Sequence, residues 1–415
     1  MSENNLNLGL ESPSYLKAKP DILRIILKKH NSHSIRKLLL LAAVSLSGIC
    51  AVSAEEPAEG QWKTAFVKRG FCGAFQDKWL KGPGSVIRSR TPMPFDGTSV
   101  KVEVTGCHDT DVKLERMFLV RGADDYGKVT GPRYQILFND EPTVSFTTGT
   151  KIWSDPVEVP IKKGTWYVQD SYLSEKMPYA YDVDFGTCDT KGNDDKEKFS
   201  GELKSRIGIL TRIDVFTADK RPVIVCYGDS ITHGFGSTPN SCQRYPDQLS
   251  KLLDRPVLNL GVNGDLIKWA GGAPGIIQSL KGVDTVVFLM GINDIISGSV
   301  KELKDYTAKL KPVVEGLKKQ NLKVYVGTIL PAGGYKKFDE KPELEKLRQE
   351  INNWIRSSSG ADKVIDFDMA LFDPAAPTRM KKEYQSDWIH PSDSGYKKMA
   401  EIAAKVISSS DDKNK

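Results

Sequence analysis

Ser230 stands directly after Gly228-Asp229 at the end of a short apolar run. A serine hydroxyl is a weak nucleophile until a base takes its proton, so the first question is which base the chain offers. Of its five histidines, His30 and His33 fall in an N-terminal segment considered below. His108 lies in a β-rich half, His233 follows Ser230 by one helical turn, and His390 follows a carboxylate, Asp387, by three positions. In a loop turn, that last spacing lets the carboxylate reach the imidazole and fix its tautomer, which makes His390 the expected base and Asp387 its orienting acid. Asp366 and Asp368 compete for the acid role, although residues of that type beside a strand end more often hold loops or caps. His233 is expected at a pocket rim or on the surface. Asp229 is expected to brace the Ser230 loop by accepting backbone N–H groups.

A base and a nucleophile would attack an acyl carbonyl usefully only if donors meet the oxyanion that forms. The backbone N–H of Ser230, the backbone N–H of Gly264 and the side-chain amide of Asn293 can fill that role. Gly264 has no side chain to block close approach of the backbone. Each residue also has a plainer reading: Ser230 and Asn293 as helix caps, and Gly264 as the residue of a tight turn.

The elements that must bring these residues together follow from the pattern of apolar positions. Near Arg221 the pattern changes to buried-type strands at 223–227, 257–260, 285–290, 323–329 and 363–367. Amphipathic helices alternate with them at 245–253, 300–319, 342–356 and 394–408, with Ser392 or Asp393 as cap of the last. Such alternation predicts a parallel sheet covered on both faces. Ligands of such sheets sit beyond the carboxyl ends of the strands, where Ser230, Gly264 and Asn293 emerge and where the segment after the fifth strand delivers Asp387 and His390. Residues 61–217 instead show short strands at 99–104, 116–120, 134–138, 144–148, 156–161 and 165–172, separated by Gly, Pro, Asn and Asp. That spacing predicts an antiparallel β-sandwich, with residues 185–200 as a long loop.

At these positions the chain resembles the SGNH/GDSL hydrolase family. The resemblance is carried by four blocks in order: Gly228-Asp229-Ser230-Ile231, Asn263-Gly264-Asp265, Gly291-Ile292-Asn293-Asp294 and Asp387-Trp388-Ile389-His390. It covers roughly residues 221–408. It implies a three-layer, flavodoxin-like parallel sheet, Ser230 as nucleophile, His390 as base, Asp387 as its partner, and Ser230, Gly264 and Asn293 in the oxyanion hole. Ser154-Asp155-Pro156-Val157 and the stretch around Gly236-Ser237-Thr238-Pro239 look like bacterial members that carry a β-sandwich before the hydrolase domain. Trp388 and the loop around Cys188 depart from the pattern; the bulk of Trp388 is expected to reshape the pocket rim.

The remaining composition sets the class. Arg36-Lys37, an apolar run from Leu38 to Val52 and the small residues Ser53-Ala54 have the plan of a secretory signal cleaved after Ala54, too short to span a bilayer comfortably. Without residues 1–54, the basic count falls from 59 to 52 and the acidic count from 53 to 50, so the net charge falls from +6 to +2. No basic stripe with interleaved aromatics points to nucleic acid. Five cysteines then remain: Cys226, in a buried-type strand, is the expected unpaired thiol, and Cys72, Cys107, Cys188 and Cys242 allow three pairings. Three scattered histidines give no metal-ligand spacing, and no cofactor is expected.

The expected organisation is a signal at 1–54, a jelly-roll-like accessory sandwich at 55–217, a catalytic domain at 218–408 and a disordered tail at 409–415. The expected product is a secreted or periplasmic serine esterase acting on a small-molecule or polysaccharide ester, with no stable membrane span after signal cleavage. Lipolytic or thioester hydrolysis, and a non-catalytic carbohydrate-binding surface protein, are the competing functions.

Overall fold

A computed structural model describes residues 59–69, 85–105, 112–123, 131–147, 149–173, 180–191, 204–207 and 209–411. The signal segment, Cys72, Cys107, His108 and the last residues of the tail lie outside the described residues.

The first half is antiparallel, as its spacing predicts. In chain order its strands are β1 (Gln61–Val67), β2 (Ser85–Pro92), β3 (Gly97–Thr105), β4 (Val112–Ala123), β5 (Arg133–Ile136), β6 (Val144–Phe146), β7 (Lys151–Trp153), β8 (Val157–Ile161), β9 (Trp166–Leu173), β10 (Ala180–Lys191), β11 (Lys204–Ile207) and β12 (Leu210–Thr217). One sheet runs β1-β12-β3-β7 with β8 also on β3; the other runs β11-β10-β2-β9-β4-β5 with β6 also on β4. Alternation in β3 buries Val100, Val102 and Val104 completely, the pattern of a strand with one face on a core. The long loop expected at 185–200 is corrected in its first part: residues 185–191 belong to β10, and Thr187 to Lys191 pair with Ser89 to Ser85 of β2. The Gly and Asp residues there read as turn formers, but a neighbouring strand offers their backbone a ladder, which outweighs local preference.

The second half is built on β13 (Val223–Gly228), β14 (Val257–Gly261), β15 (Val283–Leu289), β16 (Lys323–Gly327) and β17 (Lys363–Ile365), all parallel, in the order β14-β13-β15-β16-β17. This is the flavodoxin-like order, whose crevice lies where the chain, having gone to one side of its first strand, returns to the other. Ser230 follows that first strand. Val223 through Tyr227 are all fully buried, as covering on both faces demands. Helices follow in chain order: α1 (Ser230–His233), α2 (Tyr245–Leu253), α3 (Ala273–Ser279), α4 (Ile292–Ser297), α5 (Leu303–Lys318), α6 (Lys336–Glu340), α7 (Pro342–Ser358), α8 (Phe367–Leu371) and α9 (Asp393–Asp411). In α7, Leu344, Leu347, Ile351 and Ile355 recur at helical spacing and turn one stripe to the core, and Pro342 sits where its missing N–H costs nothing.

Cys226 is buried in β13 and is a free thiol, as expected, with burial pushing it well above its ordinary pKa. Among the described residues, no helix is long and apolar enough to cross a membrane.

Candidate active site

Strand β13 ends at Gly228, and the chain turns at once into the single-turn helix α1. Asp229 caps that turn, its Oδ1 accepting the Ile231 N–H at 3.0 Å. The cap is therefore Asp229, and Ser230 is the first helical residue, whose N–H has no acceptor within the helix. The Gly234 N–H closes the turn on the Ser230 carbonyl at 2.9 Å. Ser230 is only 6% exposed, and its Oγ lies 2.8 Å from His390 Nε2.

The imidazole arrives from the opposite end of the domain. Strand β17 is at the sheet edge, yet α9 packs against α2, which follows β13, and this brings the segment before α9 back over the middle of the sheet. There Ser386 N–H bonds the His390 carbonyl at 2.9 Å, closing a tight loop. Within it Asp387 Oδ1 accepts the Ile389 and His390 N–H groups at 3.0 and 2.8 Å, while Oδ2 lies 2.8 Å from His390 Nδ1. Burial pushes the Asp387 carboxyl up, but the bonds from the His390 ring and backbone outweigh it and hold the group at about 2. The helix beyond is capped by Ser392, whose Oγ accepts the Gly395 N–H at 3.3 Å. Asp393 instead accepts both the N–H and the hydroxyl of Thr238, at 2.8 and 2.6 Å, tying the His390 loop to the segment after α1.

The competing acids are engaged elsewhere. Asp366 pairs with Arg356 and caps α8, and Asp368 lies between Arg348 and Arg356. His233 is not at a rim or on the surface: it ends α1 and is buried, because α1 lies down against the end of β14. Trp388, half-buried at φ +68°, packs on Gly334 beneath the guanidinium of Arg379.

Gly264 adopts φ +72° and is exposed, with nothing within 4 Å of where a Cβ would stand, so its backbone faces open space. Asn293 does not cap α4; Gly291 holds that position. Its Nδ2 donates to the Asp265 carbonyl at 3.1 Å, and the Val262 N–H donates to the Gly228 carbonyl at 3.1 Å. The structure thus joins Ser230, His390 and Asp387 by direct bonds, and ties the Gly264 turn to Asn293 on one side and to the strand before Ser230 on the other.

Three features were not legible from the chain. The Phe235 ring lies 4.6 Å from the His390 ring. Gly236 backs directly on the His390 loop. Arg69, from the residues just after β1, pairs with Asp265. None carries a local sequence signal, since each contact joins segments distant in the chain. Asp229, fully buried, is raised to about 7, chiefly by burial, partly offset by the Ile231 N–H, with the Asp265 and Asp294 carboxylates adding to the rise and Arg69 opposing it.

A parallel sheet with a Ser–His–Asp chain of hydrogen bonds at its carboxyl edge is the arrangement of a nucleophilic hydrolase. Residues 226–398 match the sequence model of the GDSL-like lipase/acylhydrolase family. No curated protein gives a significant match to the chain. Among solved structures, it is similar to a GDSL-like lipase from Bacteroides thetaiotaomicron, with 18% identity and TM-score 0.38 over 46% of this chain and 89% of that one. A carbohydrate acetylesterase family member from Sinorhizobium meliloti has 16% identity and TM-score 0.37 over 45% and 97%. An aryl esterase from M. smegmatis has 16% identity and TM-score 0.36 over 45% and 99%.

Proposed function

We propose that residues 218–408 are the catalytic domain of an exported serine esterase that removes short acyl groups, such as acetyl, from a carbohydrate or similar extracellular molecule. Residues 55–217 are then an accessory β-sandwich. The observation that carries the reading is the unbroken chain from Ser230 Oγ to His390 Nε2 and from His390 Nδ1 to Asp387 Oδ2, both contacts at 2.8 Å.

On this reading Asp387 holds the proton on Nδ1, leaving Nε2 to accept the Ser230 proton as Oγ attacks the ester carbonyl. The carbonyl oxygen becomes an anion met by the N–H groups of Ser230 and Gly264 and by the Asn293 amide. The intermediate collapses, the C–O bond to the alcohol breaks, and His390 returns the proton to the leaving oxygen. Water, deprotonated by the same imidazole, then cleaves the acyl-enzyme and restores Ser230. Of the large apolar side chains exposed among the described residues, Phe235, Leu252, Trp269 and Met369, Phe235 packs on His390. Export is supported by the basic, apolar and small-residue order of residues 36–54.

Ser230→Ala tests the reaction. Release of p-nitrophenol from p-nitrophenyl acetate is expected to fall to background, and a fluorophosphonate probe is expected to label wild type but not the variant. Wild-type turnover in the variant would defeat the proposal. An ester series from acetyl to lauroyl is expected to peak at the short end, and N-terminal sequencing of exported protein is expected to begin at Glu55.

A further inference from the structure

Strand β1 belongs to the antiparallel half, yet it runs beside the hydrolase sheet. At one point Thr64 bonds the backbone of Lys281, its N–H donating to the carbonyl at 3.2 Å and its Oγ1 accepting the N–H at 3.0 Å, just before β15 begins. Five residues later, Arg69 reaches the opposite edge of the sheet, donating to the Gly228 carbonyl at the end of β13 at 3.0 Å. Five extended residues cover about 17 Å, close to the length of the six-residue β13, so residues 64–69 span the sheet from amino to carboxyl edge.

At the carboxyl edge the Arg69 guanidinium lies 3.8 Å over the Tyr227 ring and forms an ion pair with Asp265. Both partners are nearly buried, Arg69 being 11% exposed at the side chain. Asp265 is the residue after Gly264. Its Oδ1 accepts the Leu266 N–H at 3.0 Å, and its carbonyl accepts the Asn293 amide at 3.1 Å. One residue therefore holds the turn that carries the Gly264 N–H through its carboxylate and anchors the Asn293 amide through its backbone carbonyl. Removing its cation would leave a nearly buried charge beside two further buried carboxyls, Asp229 and Asp294, which burial already raises and the Asp265 carboxylate raises further.

Resting on the esterase reading, we propose that Arg69 is a positioning residue for the reaction at Ser230. By gripping Asp265 it sets the turn that presents the Gly264 N–H and anchors Asn293, so the antiparallel half completes the active site of the other. A lysine would keep the charge but lose the flat stacking on Tyr227 and the forked donors.

The test uses the full chain and p-nitrophenyl acetate, with kcat expressed per site titrated by the fluorophosphonate. In Arg69→Met, kcat is expected to fall on the order of 10- to 100-fold, because small displacements of oxyanion donors are costly, with KM within about threefold. Arg69→Lys is expected to recover part of the loss. Asp265→Asn is expected to lower kcat similarly, and the double variant to be no worse than the poorer single. An unchanged kcat per titrated site in Arg69→Met would overturn the proposal, since a purely structural arginine changes the number of sites and not their rate. Losses that multiply in the double variant would overturn it as well. Should Arg69→Met not fold, wild-type kcat in both Arg69→Lys and Asp265→Asn would do the same. A wild-type protein that neither turns over ester nor takes the label fails the esterase reading, and is recognised before any variant is made.

Discussion

Gly236→Ala probes how tightly the His390 loop is held. Gly236 sits at φ +92°, where an alanine costs about 1–2 kcal/mol relative to glycine. The added Cβ would stand 2.5 Å from Ser386 Oγ, 2.9 Å from the Pro391 carbonyl oxygen and 3.2 Å from His390 Cβ. Ser386 cannot swing away freely, since its Oγ donates to the His390 carbonyl at 3.0 Å, and the Pro391 oxygen is backbone. Restoring an ordinary contact of 3.4 Å at that oxygen pushes the loop back by about 0.5 Å. Carried to the imidazole, this stretches the 2.8 Å bond to Ser230 to about 3.3 Å, the outer limit of a useful hydrogen bond. The expected result is a kcat lower on the order of 10- to 100-fold, with KM little changed and Tm lower by a few degrees. Turnover of p-nitrophenyl acetate per fluorophosphonate-titrated site and a thermal melt measure the two effects. A lowered Tm with wild-type kcat per site would refute the reasoning, because the strain would then relax without moving His390.

Two further outcomes follow from the charges at the site. Asp387→Asn keeps the shape but offers the imidazole the wrong partner, and kcat is expected to fall on the order of 10³- to 10⁴-fold, with the fold retained. Asp387 is held at about 2, below its ordinary 3.8, so its stabilising contribution is present above the ordinary value and is lost as pH falls toward 2; the Tm gap between wild type and Asp387→Asn is expected to narrow over that window. Asp229 behaves in the opposite sense. The folded state holds its proton up to about 7 whereas the unfolded chain releases it near 3.8, so folding weakens as pH rises between those values. Asp229→Asn keeps an acceptor for Ile231 and removes the titration, so its Tm advantage over wild type is expected to grow from pH 5 to pH 8. A constant difference across that range would show that Asp229 is not protonated in the folded state near neutrality.

Much of this site can be read from the chain because its parts are local. The strands of the parallel sheet are buried on both faces, so they appear as unbroken apolar runs, and each run ends on the residue that matters: Gly228 before Ser230, Gly261 before Gly264, Leu289 before Asn293. The Asp387–His390 pair is legible for the same reason, since three positions in a tight turn suffice to close it. The antiparallel half was legible as a class and less so in detail. Residues 185–191 carry turn-forming types but join β10, because strand pairing depends on a neighbour about a hundred residues away. Only the tertiary structure could settle which acid serves His390, since Asp366 and Asp368 are excluded by arginines on α7 and not by their own spacing. It also decided that His233 is buried and that Phe235 and Gly236 bear on the His390 loop. Above all, it paired Arg69 of one half with Asp265 in the turn after Gly264 of the other. Sequence periodicity reports which face of an element is buried, whereas the identity of what lies against that face depends on how the chain returns, and that is a property of the folded whole.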